Sequence, residues 1–164
     1  MNVSLPLRYQ EDVPAPLWLQ AVILLGVAAL ATGVATSAAS GKGGWQTYAL
    51  YYPFMAILGA LLVFVFFSFR CLRITVSDEE MRFAFGRLRK SLPLTAIRSC
   101  ETKRYRWLTY GGWGIRYALG GRRAWSMPGV PEGVEVTVAE GRRVRRYFVS
   151  SRSPELLAEA VRGR

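Results

Sequence analysis

Two stretches of the chain carry no charged residue: Leu17 to Ala39, 23 residues, and Gly43 to Phe69, 27 residues. At about 1.5 Å per helical residue each can cross a hydrocarbon core of roughly 30 Å. A backbone in that core must satisfy its own hydrogen bonds, which a helix does. The alternative, two buried helices of a soluble domain, needs a surrounding core that the remainder of a 164-residue chain is too short to build. A cleaved signal peptide does not fit the first stretch either, because Arg8 is set against Glu11 and Asp12 and the second apolar run follows at once. The sequence predicts an N-terminal segment over 1–16, transmembrane helices over 17–39 and 48–69, a loop over 40–47, and a domain over 70–164.

Small residues at Ala29, Gly33 and Ser37 recur every four positions, the spacing that lets membrane helices approach closely, and Ala56 and Ala60 match them in the second helix. The same stripe is a candidate for self-association or for contact with another membrane protein. Trp45, Tyr48, Tyr51 and Tyr52 crowd beside the loop as an interfacial aromatic cluster does. The loop's "GKGG" lacks the spacing and terminal Lys-Ser or Lys-Thr of a phosphate loop. Arg70, Arg73, Arg82, Arg87, Arg89 and Lys90 follow the second helix within about 20 residues, whereas the loop offers only Lys42. This asymmetry predicts a cytoplasmic C-terminal domain, with the hairpin returning the N-terminus to the same side. Cys71 and Cys100 are then expected to be free thiols.

After Arg70 the period changes to two. "RITVS" alternates around Ile74 and Val76, and "MRFAF" sets Met81, Phe83 and Phe85 against Arg82 and Ala84. Further strands are expected from Arg87 to Pro93, within "TAIRSCETKRYRWLTY", and through "WGIRYAL", where Trp113, Ile115, Tyr117 and Leu119 alternate outward from Gly114, Arg116 and Ala118. Gly111, Gly112, Gly120 and Gly121 flank that strand as turn residues. "AWSM" reads as a strand edge, and "VEVTVAEGRRVRRYFVSS" as a hairpin turning near Glu140 and Gly141. The final "SRSPELLAEAVRGR" predicts a helix with Ser153 as cap, Pro154 in its first turn and an apolar stripe of Leu156, Leu157, Ala160 and Val161.

About seven antiparallel strands closed by one helix is an order that resembles the pleckstrin-homology (PH) architecture, in particular small bacterial PH-like domains behind two membrane helices. The pieces that carry the resemblance are "FG" at Phe85 and Gly86, "SLPLTAI" at Ser91 to Ile97, "GGWGIR" at Gly111 to Arg116, and "SSRSPELLAEAV" at Ser150 to Val161. The resemblance implies a two-helix transmembrane hairpin followed by a mainly antiparallel PH-like barrel capped by its C-terminal helix. Lipid-binding PH domains use basic residues around the loop joining their first two strands. Here that loop is the acidic "SDEE", so no headgroup site is carried over to it.

The chain has no histidine, which excludes Ser-His, Cys-His and histidine-metal chemistry, and two lone cysteines do not make a zinc site. Asp78, Glu79 and Glu80 alternate in a tight turn and read as solvated, not as metal ligands. No cofactor and no catalytic set is expected. Of 22 Lys and Arg and 11 Asp and Glu, all but Arg8, Lys42, Glu11 and Asp12 fall in residues 70–164, so the whole +11 resides there. Lys103, Arg104 and Arg106, Arg122 and Arg123, and Arg142, Arg143, Arg145 and Arg146 mix with aromatics in a way that suits phosphates or headgroups. They form the candidate surface for anionic lipid or a protein partner. Nucleic acid is disfavoured by the membrane tether and the absence of any recognition motif. The expectation is a non-enzymatic bacterial cytoplasmic-membrane protein with a basic binding or assembly module at the inner leaflet. The alternative is an accessory subunit of a larger transporter or envelope-enzyme complex.

Overall fold

The computed structural model describes residues 7–41, 44, 45, 47–141 and 143–163. It divides into two compact units, one of residues 16–70 and one joining residues up to 15 with those from 71 onward. The first unit holds helix α1 (Leu17–Ser40), a π-helical turn (Thr47–Tyr51) and helix α2 (Tyr52–Ser68). α1 and the run Tyr48–Ser68, which joins the π-helical turn to α2, are long and apolar enough to cross a membrane. Pro16 precedes α1 and Pro53 occupies the first turn of α2, positions where the missing amide proton is not needed.

The helices meet through glycines, and of the expected stripe Gly33 and Ser37 lie on the half-buried side of α1 while Ala29 does not. An added Cβ on Gly26 would lie 3.8 Å from Leu62, one on Gly59 3.7 Å from Leu30, and one on Gly33 3.9 Å from the Tyr51 hydroxyl. The half-buried side of α1 is thus Ile23, Gly26, Leu30, Gly33 and Ser37, while Ala29, Ala56 and Ala60 are exposed. Larger side chains lying against glycine explain the shift: Leu30 and Leu62 fill the notches that two facing alanines would leave open.

The second unit contains nine strands, not seven, in two sheets that do not close into a barrel. One of the two additional strands is β1 (Leu7–Pro14), formed by the segment expected to be a flank outside the domain. It runs antiparallel to β2 (Cys71–Ser77), with Val13 opposite Leu72 and Pro14 opposite Cys71. The helical hairpin is therefore inserted between two neighbouring strands of one sheet. β3 (Glu80–Phe85) and β4 (Leu88–Pro93) complete the order β1-β2-β3-β4. Leu72, Ile74, Val76, Met81, Phe83 and Phe85 are all fully buried, as their alternation predicts.

The second sheet has the order β5-β8-β9-β7-β6. It comprises β5 (Ile97–Arg104), β6 (Gly114–Ala118), β7 (Arg122–Ser126), β8 (Glu132–Glu140) and β9 (Arg143–Ser150). The pair β7–β9 is parallel. "AWSM" is consequently interior and buried, and the sheet's edges are β5 and β6. Gly133 is required where β8 meets β9, since a Cβ there would come within 2.1 Å of the Val149 carbonyl.

Rings from the second sheet map its order onto β3. The amide of Leu94, just before β5, bonds to the Glu79 carbonyl beside the start of β3. Tyr147 of β9 touches Phe83, and Trp125 of β7 stacks on Phe85 at 5.8 Å. Phe85 pairs with Leu72, next to Cys71. Trp125 also meets Phe83, at 5.1 Å.

Helix α4 (Pro154–Arg162) packs on β5, β8 and β1. Its buried stripe is Pro154, Leu157, Ala158 and Val161, spaced 3, 4 and 7 from the first; Leu156 is exposed. Ser153 makes no side-chain cap. The entry to the helix is instead organised by Glu11 of β1, which accepts hydrogen bonds from the Ser151 hydroxyl (2.5 Å), the Arg152 amide (2.7 Å) and the Tyr9 hydroxyl (2.7 Å).

Candidate functional site

Period two in the strands decides where each candidate cation goes. On β9, Arg145 and Tyr147 share the inner face with Val138 and Val136 of β8, whereas Arg146 and Phe148 share the outer face with Thr137 and Glu135. The "RRVRRY" cluster is thereby split between two environments.

The inner set is bound within the protein. Glu140 accepts from the Tyr147 hydroxyl at 2.6 Å, pairs with Arg145 and lies 3.5 Å from Lys90. Arg123 donates to the Tyr147 oxygen at 3.1 Å and sits 5.0 Å from the Tyr117 ring centroid. Burial raises the proton affinity of Glu140, but the Tyr147 hydrogen bond and the charges of Lys90 and Arg145 outweigh it and hold the carboxyl below its ordinary range. Arg123 and Arg145 thus serve the architecture as well as the surface. Sequence reasoning missed Lys90, Glu140 and Tyr147; Lys90 lies 50 residues from Glu140, and Arg123 lies 24 from Tyr147.

On the outer face a second small core forms where helix α3 (Trp107–Tyr110) and its flanks fold back over the sheet. Tyr105 stacks between Tyr110 (5.2 Å), Trp113 (5.0 Å) and Phe148 (5.0 Å). Trp113 is half-buried against this cluster rather than in the main core. Beside it lies a hollow of ≈ 240 Å³ that gathers Lys103, Arg104, Arg106, Arg122 and Arg146, with Glu135 as the one carboxylate in its lining. Lys103 bonds to Glu135, and that hydrogen bond raises the proton affinity of the lysine. Tyr110 donates to Glu135 at 3.3 Å; burial first, then the Glu135 charge, pushes its hydroxyl up to about 12. Thr109, Tyr110 and Glu135 were not among the sequence candidates.

A second hollow of ≈ 440 Å³ lies between the β6–β7 and β8–β9 turns. It is lined by Arg122, Arg123, Arg143 and Arg145 with Tyr117 and Val144. Gly120 and Gly121 both have positive φ there, and a Cβ on Gly121 would press to 3.3 Å on the Val144 carbonyl, so the turn needs glycine for conformation and for approach. Tyr117 and Leu119, which alternate with Arg116 and Ala118 along this stretch, are 72% and 96% exposed. The ninth candidate, Arg142, lies outside the described residues, as do Lys42, Gly43 and Gln46 of the loop.

No protein-family model, curated protein or solved structure matches this chain. Its chemistry is therefore read from the residues. Among the described residues Arg104, Arg106, Arg122, Arg143 and Arg146 make no ion pair, and together they offer guanidinium groups at two concave surfaces suited to anions. The acidic turn is occupied differently: Asp78 receives Arg8, and Glu80 receives Arg82. Both cysteines are free; burial pushes the Cys100 thiol up to about 11 against the opposing charge of Arg162.

Proposed function

We propose that this is a non-enzymatic integral protein of the bacterial cytoplasmic membrane whose PH-like domain is a binding module at the inner leaflet. In this reading the edge built by the β6–β7 and β8–β9 turns meets anionic lipid headgroups. The observation that carries the proposal is the hollow between those two turns, where Arg122 and Arg143, without an ion pair among the described residues, stand beside Tyr117 and Val144. Pro14 beside Cys71 supports a hairpin that returns to the side it left, and the excess of Arg and Lys after α2 supports a cytoplasmic domain. Arg122 and Arg143 supply charge worth roughly 1 kcal/mol each near an anionic surface. Tyr117, Leu119 and Val144 supply exposed apolar groups beside them, the mixture that settles at a headgroup boundary.

The test uses the full chain with Cys71→Ser and Leu119→Cys, the new thiol carrying an environment-sensitive fluorophore. Cys100 stays unlabelled because it is buried. In nanodiscs containing phosphatidylglycerol the probe is expected to be quenched by lipid-borne quenchers, and to lose quenching when salt shortens the screening length from about 10 Å to about 3 Å. Equal signals in zwitterionic and anionic discs would overturn the reading.

A further inference from the structure

Arg122 and Arg146 are direct register partners on the parallel strands β7 and β9 and share the outer face of the sheet. Like charges directly opposite destabilise a sheet, and among the described residues neither has a carboxylate within ion-pair distance. The acid on that face, Glu135, is already engaged by Lys103 and Tyr110. Two guanidinium groups are thus held side by side over a hollow, with their compensating charge missing from the fold.

We propose that this hollow binds a phosphate group of a small organic phosphate or of a lipid headgroup, with Arg122 and Arg146 as its principal ligands. A guanidinium presents a planar fork of donors that matches phosphate oxygens, and a doubly charged phosphomonoester balances two of them. Arg104 and Arg106, on the segment leading into α3, stand at the same hollow and add positive potential. Glu135 does not oppose the ligand, because Lys103 neutralises it; its role is to fix Lys103 and Tyr110 as one wall. Phe148 gives that site an apolar component. The ≈ 240 Å³ volume has room for a phosphate group.

The site goes beyond the lipid-facing edge and fails or stands separately from it. Of the two hollows, Arg146 lines this one and Arg143 lines the one between the turns. The experiment is calorimetric titration and thermal unfolding of the full, detergent-solubilised chain with inorganic phosphate and with glycerol 3-phosphate, at ionic strength held constant with chloride. Saturable binding and a raised Tm are expected for both. Arg146→Gln should weaken binding by about tenfold or more, the loss of one charge-assisted contact. Without phosphate the same variant should unfold at a higher temperature than the wild type, because the opposed charges are relieved. Arg122→Gln should repeat both effects, and Arg143→Gln should bind as the wild type does. A second arm measures the affinity of the chain for discs containing phosphatidic acid. A loss with Arg146→Gln identifies a headgroup as the source of the phosphate, and unchanged disc affinity alongside weakened glycerol phosphate binding in that variant identifies a soluble one. Absence of saturable binding, equal stabilisation by chloride, or equal weakening by Arg143→Gln overturns the site.

Discussion

Replacing Glu11 by Ala should destabilise the domain by about 3 kcal/mol, although Glu11 lies in a segment with one buried apolar strand residue, Val13. Its carboxylate accepts three hydrogen bonds that tie β1 to Tyr9 and to the start of α4. Ser151 is fully buried, so its hydroxyl would be left without this acceptor and without water, a loss of about 1–3 kcal/mol. Tyr9 and the exposed Arg152 amide can recover water, and each loses about 0.5–1 kcal/mol. The comparison variant is Arg73→Ala, which removes a solvent-exposed bridge to Asp12 at 2.8 Å worth about 0.5 kcal/mol. Guanidinium unfolding of the detergent-solubilised chain, followed by near-ultraviolet circular dichroism, measures both. Tyr9 adds a second readout: burial and the Glu11 hydrogen bond push its hydroxyl up to about 12, so spectrophotometric titration should show a lower value in the variant. A Glu11→Ala loss below about 1 kcal/mol, or one equal to that of Arg73→Ala, would refute the reasoning.

Glu140 is held below the ordinary carboxylate value of 4.5, so the stability it contributes is present above that pH and is lost as pH falls through the folded-state value. Glu140→Gln should therefore flatten the acid limb of the stability–pH curve, and an unchanged limb contradicts the network. Trp113→Ala should cost about 2 kcal/mol in the same unfolding assay, below the range of about 3–5 kcal/mol for fully buried rings, because Trp113 is half-buried on Tyr105; a loss of 4 kcal/mol or more, on the order of a main-core ring, contradicts its placement. Joining Pro14 to Cys71 through an Asn-Gly turn removes the hairpin and should leave a folded, soluble domain, since these residues are cross-strand partners. Residues 71–164 alone should fold less stably by circular dichroism; equal stability would place β1 outside the domain.

The legible parts of the chain were those whose signal is local. Two charge-free runs needed no partner to be read as helices, and the alternation of Leu72 to Val76 and Met81 to Phe85 needed only a core on one side. β1 escaped because "LRYQEDVP" alternates poorly and is held by hydrogen bonds and ion pairs to residues some 60 to 140 positions away. β1 accounts for one of the two strands missing from the expected seven. The basic candidates were found by composition, but composition does not tell Arg145 from Arg146. Period two along β9 does, since Arg145 falls with Tyr147 and Arg146 with Phe148. Glu135, the wall of the anion hollow, had no signal of its own; its meaning comes from Lys103 and Tyr110 on elements far from it in sequence.

Amide hydrogen exchange of the full chain in matched nanodiscs tests the central claim, a basic edge turned to an anionic leaflet, most directly. The account predicts added protection over Tyr117–Arg123 and Arg143–Arg145 in phosphatidylglycerol discs, lost at high salt, with β2 and β3 unchanged. Identical exchange in zwitterionic and anionic discs over those two turns, or protection confined to other surfaces, would contradict it.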